Sequence, residues 1–234
     1  MTFRLSERIP RYAAVPADVP VVDVSPQRSS PIGGKAKRCF DVVFASVALI
    51  ALSPLFLLIA MLIKASDGGS ILYRHRRVGW HMRSFDCLKF RTMVQNGDHV
   101  FRLHLQAFPE AAQEWHEARK LKDDPRITTV GKVLRELSLD ELPQLINIIR
   151  GDMSVVGPRP VVLDELRLYG PHADSYLEAR PGLTGAWQVS GRNDVSYAVR
   201  ATLDRTYVEK WSLASDVVII LKTIPAVISA KGSY

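Results

Sequence analysis

The chain has 234 residues, 47% of them hydrophobic and 24% charged, with 14 glycines and 14 prolines. That composition excludes disordered and collagen-like classes and leaves one domain of ordinary size that can bury a core. Lysine and arginine number 31 against 24 aspartates and glutamates, a net charge of +7, which suits an anionic partner (nucleic acid, a phosphorylated small molecule or an anionic membrane face) without choosing among them.

Two cysteines, Cys39 and Cys87, are too few for a disulfide scaffold and read as thiols in a reducing, cytosol-facing setting. Residues 1–33 read as a disordered tail, punctuated by Pro10, Pro16, Pro20, Pro26 and Pro31 and closed by Gly33-Gly34. No long apolar core begins near Met1, so the tail is not a secretory signal.

Val42 to Ile63 follows, 22 residues without a charge. As one straight helix it would be roughly 33 Å long, about one bilayer core. Ser53-Pro54 interrupts it. Pro54 has no N–H for the carbonyl four residues back, so a kink is expected there, and the Ser53 hydroxyl is a candidate partner for that carbonyl. Lys35, Lys37 and Arg38 precede the run and Lys64, Arg74, Arg76 and Arg77 follow it. A spanning helix normally shows positive charge biased to one side, whereas symmetric basic flanks fit a helix that dips in, bends and returns to the same face. From the residues alone, a re-entrant and a spanning helix both remain open.

Ile71-Leu72-Tyr73 and Phe85 to Met93 have β-type composition around Gly79-Trp80-His81-Met82 and read as a hairpin, with Lys89 and Arg91 on one strand face. Residues 98–121 read as helical with a break near Pro109. Thr129 to Leu137 reads as a short helix, and a second runs from near Leu139 to Arg150, before Gly151. Arg180 to Gly185 and Ser190 to Asp194 read as loops, Tyr197 to Trp211 as a helix, and Val217 to Ala230 as either a core or an interfacial helix.

Ser138-Leu139-Asp140-Glu141 has the pattern of a capping box, with Ser138 capping and Glu141 reaching back. If Asp140 caps instead, Pro143 falls in the first turn. Either register puts two carboxylates at a helix N-terminus, and adjacent helical residues share one metal ion only where the helix begins irregularly. Gly157-Pro158-Arg159-Pro160 holds a guanidinium on a stiff loop, and Gly191-Arg192-Asn193 offers a second donor pair. With Lys89, Arg91 and Arg135 these form a cationic set suited to a diphosphate. Nucleotide-binding glycine loops, a zinc-protease motif and a hydrolase nucleophile elbow are absent from the sequence.

The order of the pieces is distinctive: Lys37 to Asp41, the run with Ser53-Pro54, Lys89-Phe90-Arg91-Thr92-Met93, Ser138 to Gln144, Gly151-Asp152-Met153-Ser154, Gly157 to Pro160, Arg180 to Gly185 and Gly191-Arg192-Asn193. It resembles the bacterial sugar transferase family, the monotopic polyprenyl-phosphate phosphoglycosyl transferases, over residues 35–234. It looks closest to the enzymes that begin succinoglycan-type exopolysaccharides with galactose.

The resemblance implies transfer of a sugar-1-phosphate, galactose-1-phosphate in the nearest subfamily, from a UDP-sugar to undecaprenyl phosphate with release of UMP. It implies Asp140 as the nucleophile that carries a covalent phosphosugar, and Glu141 beside it, the two forming the catalytic and Mg²⁺-binding pair. Substrate contacts fall to Lys89, Arg91, Arg135, Pro158, Arg159, Pro160, Arg192 and Asn193. The implied fold is α+β and mainly helical. It has one re-entrant membrane helix (34–65) kinked at Ser53-Pro54, a small β-hairpin, and interfacial amphipathic helices in a cytosol-facing catalytic domain (66–234). The implied location is the cytosolic face of the bacterial inner membrane. The bilayer is then a partner, nucleic acid is not, and a homodimer is compatible with the arrangement.

Overall fold

The computed structural model describes residues 28–118, 121–190 and 196–228. Residues 1–27, and with them most of the proline-rich stretch, lie outside, as do Arg192 and Asn193. Residues 28–33 do not trail free of the domain. Ile32 is buried and its N–H donates to the Glu178 carbonyl, while Arg28 pairs with the Glu178 carboxylate at 2.8 Å.

The long apolar run forms two helices, α1 (Gly34–Ala51) and α2 (Ser53–Asp67), bent by 62° at Leu52. Among the described residues no single helix is long and apolar enough to cross a membrane, whereas this bent pair taken together is. At the bend Pro54 gives no N–H to Ile50, and the Ser53 hydroxyl donates to that carbonyl at 2.8 Å.

Both outer ends of the pair are tied down. On α1, Lys37 and Asp41 are buried; the Lys37 ammonium reaches Asp216 at 2.7 Å and Asp41 at 3.7 Å, and Asp41 accepts from Ser154 Oγ and Val155 N. On α2, Ile59 and Ile63 pack with Phe90 and Leu134, and Asp67 pairs with Arg91.

The hairpin comprises β1 (Leu72–Val78) and β2 (Ser84–Phe90), paired antiparallel with Tyr73 opposite Lys89. The expected break at Pro109 separates α3 (Gly97–Ala107) from α4 (Pro109–Ala118). Then come α5 (Thr129–Glu136), a 3-10 turn (Leu139–Glu141) and α6 (Gln144–Arg150). The expected helix from Leu139 is thus split at Leu142-Pro143, because Pro143 has no N–H for the Leu139 carbonyl, which accepts from Leu142 N in a 3-10 turn instead.

A second sheet was not expected. In it β3 (Ser154–Val156) runs parallel to β4 (Gly182–Thr184), a stretch that read as loop. Three-residue strands carry too few side chains to show a period of two. Short helices α7 (Leu163–Arg167) and α8 (Ala173–Leu177) lie between them, and α9 (Tyr197–Glu209) and α10 (Leu213–Ile228) close the chain. The main core joins Ala45 of α1, Leu145 and Ile148 of α6, Val155 and Val156 of β3 and Tyr207 of α9. The cleft opens beside this core.

Candidate active site

A cleft of about 2170 Å³ carries Lys89, Asp140, Glu141 and Arg159 in its lining. They arrive from three places, Lys89 from β2, the acidic pair from the 3-10 turn and Arg159 from the loop after β3, each for a local reason. Lys89 is the penultimate residue of β2. The buried Asn147 of α6 holds that strand, accepting from Leu88 N at 2.9 Å and donating to the Asp86 carbonyl at 2.8 Å. The helix after the acidic pair is thereby pinned to the strand that bears the lysine.

Arg159 depends on two glycines. Gly157 N donates to Thr184 O at 2.9 Å and Gly182 N to Pro158 O at 2.8 Å. A Cβ on Gly182 would overlap the backbone nitrogen of Gly157, and a Cβ on Gly157 would overlap the Arg180 carbonyl. The two proline-bearing segments cross this closely only because both lack side chains.

The acidic pair does not cap a helix. Among the described residues Ser138 makes no side-chain capping bond to the 3-10 turn, and Pro143, not Asp140, occupies the cap of α6. The capping-box expectation fails because its register needs an extended Ser138, whereas this Ser138 is left-handed. The irregular helix start that one shared metal ion would need is present.

Lys89 Nζ donates to Glu141 Oε1 at 2.7 Å and lies 3.5 Å from Asp140 Oδ2. Arg159 Nη2 is 3.8 Å from Glu141 Oε1. Burial alone would raise both carboxyls. For Glu141, Lys89 and Arg159 outweigh burial and hold it at about 2. For Asp140, burial and the neighbouring Glu141 charge prevail over Lys89 and Arg135, so its carboxyl lies above the ordinary value. Burial lowers the Lys89 ammonium less than the two carboxylates raise it, and it stays charged.

Arg135 donates to Thr92 Oγ1 at 2.9 Å from the last turn of α5, a helix capped by Thr128 through Gly131 N. A Cβ on Gly131 would overlap the Thr92 carbonyl, so glycine lets α5 sit against the strand exit. Arg91 lies just past the end of β2. It lines the same cleft as Lys89, yet its guanidinium is engaged by Asp67 of α2 rather than by the acidic pair. Pro158 and Pro160 are buried on either side of Arg159.

The motif reading missed Arg77, Glu165, Trp187 and Arg200, which also line the cleft. Arg77 and Glu165 form an ion pair at 3.1 Å, and Arg200 stacks 4.5 Å from the Trp187 ring centroid. Their partners are far apart in sequence, so spacing carried no signal. Only Trp187 stood near a motif, just after the loop of Arg180 to Gly185.

Two adjacent carboxylates, one held ionised, present hard oxygen ligands. Among the described residues no third carboxylate, histidine or cysteine gathers with them. That donor set fits Mg²⁺ bound through one or two carboxylates together with substrate phosphates, and does not fit an all-protein metal cage.

A bent apolar helix pair is tied to a cationic cleft that holds an acidic dyad, a lining suited to a transferase of phosphorylated substrates. The chain belongs to the bacterial sugar transferase family, whose model matches residues 33–230. It is 64% identical over 204 residues to the exopolysaccharide production protein ExoY of Sinorhizobium fredii, covering 87% of this chain and 90% of that one. ExoY of Rhizobium meliloti matches to the same extent, 64% over 204 residues with the same coverage of 87% and 90%. The undecaprenyl-phosphate galactose phosphotransferase of Salmonella typhimurium is 50% identical over 198 residues, 85% of this chain and 41% of that longer protein.

Proposed function

We propose that the protein transfers a sugar-1-phosphate, galactose-1-phosphate in the first instance, from a UDP-sugar to undecaprenyl phosphate at the cytosolic face of the bacterial inner membrane, as the first membrane step of exopolysaccharide synthesis. The observation that carries this reading is the uncapped Asp140-Glu141 pair bridged by Lys89. Carboxylates that cap no helix and share one ammonium in a cationic cleft are placed for phosphoryl chemistry.

Asp140 is the nucleophile in this reading. Glu141 is committed to Lys89 and Arg159, whereas Asp140 has the longer ion pair and the more basic carboxyl. Its oxygen attacks the sugar-bearing phosphorus. The bond from that phosphorus to the bridging oxygen breaks, and UMP departs with the electron pair. An oxygen of undecaprenyl phosphate then attacks the same phosphorus and the aspartyl–phosphorus bond breaks, which restores Asp140. One phosphoanhydride is exchanged for another, and the relay lets two anionic substrates use the site in turn. Lys89, Arg135 and Arg159 neutralise the phosphoryl oxygens. Asp140 and Glu141 would hold Mg²⁺, which when bound supplies further charge neutralisation.

The membrane reading rests on anchoring. The N-terminal turns of α1 and the C-terminal turns of α2 both pack on one domain, so the bent pair enters and leaves by the same face. Towards the bend, Val47 is 62% exposed, Ile50 75% and Leu57 66%. Lipid accounts for that apolar surface and water does not.

Incubation with a UDP-sugar labelled in the sugar, without lipid acceptor, tests the reading. Labelled protein and released UMP are expected, and adding undecaprenyl phosphate should discharge the label. Release of UDP would identify a transferase that moves the sugar without its phosphate, and would overturn the proposal.

A further inference from the structure

The cleft lining is electrostatically unbalanced: among the described residues eight arginines and lysines face four carboxylates. One stretch of that lining plays no part in the chemistry above, the wall made by Trp187 and Arg200. Trp187 is 5% exposed, and its indole N–H finds no acceptor among the described residues. Among the described residues, contacts at the ring rather than a hydrogen bond hold this side chain. Two guanidiniums lie against it, Arg200 at 4.5 Å and Arg159 at 5.9 Å from the ring centroid. Arg200, on the first turns of α9, also lies 5.5 Å from the Tyr197 ring. Arg159 is the one whose guanidinium reaches Glu141. One indole thus spaces a second guanidinium from the one that reaches the acidic pair.

We infer that Arg200, oriented by Trp187, binds the donor phosphate that leaves with the nucleotide. The inference rests on the proposed function. There the transferred phosphorus sits beside Asp140, where Lys89, Arg135 and Arg159 converge, and the other phosphate of the same diphosphate lies one bridging oxygen away. A guanidinium grips phosphate as a planar fork, and stacking on an aromatic face fixes the plane of that fork before the ligand arrives. Negative charge grows on the leaving phosphate as the bridging bond breaks, so the contact strengthens towards the transition state. Arg200 is in this account a substrate-binding residue and Trp187 a positioning residue.

The two half-reactions provide the test. The full chain in detergent micelles is assayed with undecaprenyl phosphate and the faster of UDP-galactose and UDP-glucose, and UMP binding is measured by calorimetry. For Arg200→Gln, kcat/KM for the donor should fall by about tenfold or more, while kcat/KM for the acceptor stays within about twofold. UMP should bind about tenfold more weakly. Arg200→Lys should recover little of the loss, because lysine has no fork. Trp187→Phe should retain more donor kcat/KM than Trp187→Leu. Equal losses in the two kcat/KM values would mean a merely structural role and would overturn the inference, as would an unchanged affinity for UMP. Release of UDP by the unaltered protein would defeat the proposed function itself. Release of UMP together with an unaffected Arg200→Gln would defeat this inference alone.

Discussion

Lys89 sets the two carboxylates of the cleft apart. Its short bond to Glu141 keeps that carboxylate ionised, and its longer approach leaves Asp140 the more basic of the two. Asp140→Asn should lower turnover by orders of magnitude and abolish labelling of the protein by the donor, with the thermal melt unchanged. An amide cannot form the acyl phosphate, and no helix cap is lost, since Asp140 caps nothing. A variant that keeps near-normal turnover would exclude the covalent step. Away from the cleft, Asp204 of α9 is buried, accepts from the Tyr169 hydroxyl at 2.9 Å, and leaves its Oδ1 without a partner among the described residues. Burial, against the opposing Tyr169 bond, lifts its carboxyl to about 8. The folded value exceeds the unfolded one, so this contribution to stability is whole below about pH 4 and is lost as pH rises to about 8. Asp204→Asn has no proton to lose. At about pH 9 its melting temperature should exceed that of the unaltered protein, and the difference should vanish or reverse near pH 4. Parallel melting curves across that range would refute the assignment.

At the scale of elements, two devices position the chemistry. The first is the break at Leu52, where one missing N–H and one serine hydroxyl turn a long apolar run through 62°. Pro54→Ala returns a donor to the Ile50 carbonyl and should straighten the pair. Accessibility labelling in membranes should then find residues near the bend displaced, and an unaltered pattern would remove Pro54 as the cause. The second device is the crossing of β3 and β4. Gly182→Ala forces a methyl group into the Gly157 backbone. It should cost about 1–3 kcal/mol of stability by overpacking. Because Pro158 hydrogen-bonds Gly182, the same change should move Arg159 and lower donor kcat/KM more than it lowers the melting temperature at assay conditions would explain. Calorimetric melts and initial rates on the same preparation decide this.

At the scale of the whole molecule, the cleft and the bent helix pair form one unit, because the same domain holds both outer ends of that pair. Single cysteines introduced at the exposed Lys35 and Lys64, in a Cys39→Ser background with Cys87 buried, should label from the same face of a sealed vesicle. Labelling from opposite faces would make the segment spanning. In the proposed mechanism Mg²⁺ would have, among the described residues, only the two carboxylates besides the substrate phosphates to hold it, so its removal should be easy. Excess chelator should abolish turnover and added Mg²⁺ restore it. Full activity in chelator would remove the metal from the mechanism.

Local sequence alone marks the bent apolar helix pair, the hairpin and the longer helices. Helix and hairpin follow from local pattern, the proline at 54 marks the break wherever the chain is folded, and the order of short motifs is enough to identify the family, because each depends on residues close in sequence. Tertiary structure decided what those pieces do to one another. Ser138 to Glu141 has the local pattern of a helix cap, yet in the folded chain Ser138 is left-handed and makes no side-chain capping bond among the described residues. Arg91 reads as a partner of Lys89, and Asp67, which ends the bent apolar helix pair, engages it instead. The parallel strands, Arg77 with Glu165, and Trp187 with Arg200 join residues whose sequence separation carries no periodic signal. Such contacts depend on the path of the whole chain, and local pattern cannot specify that path.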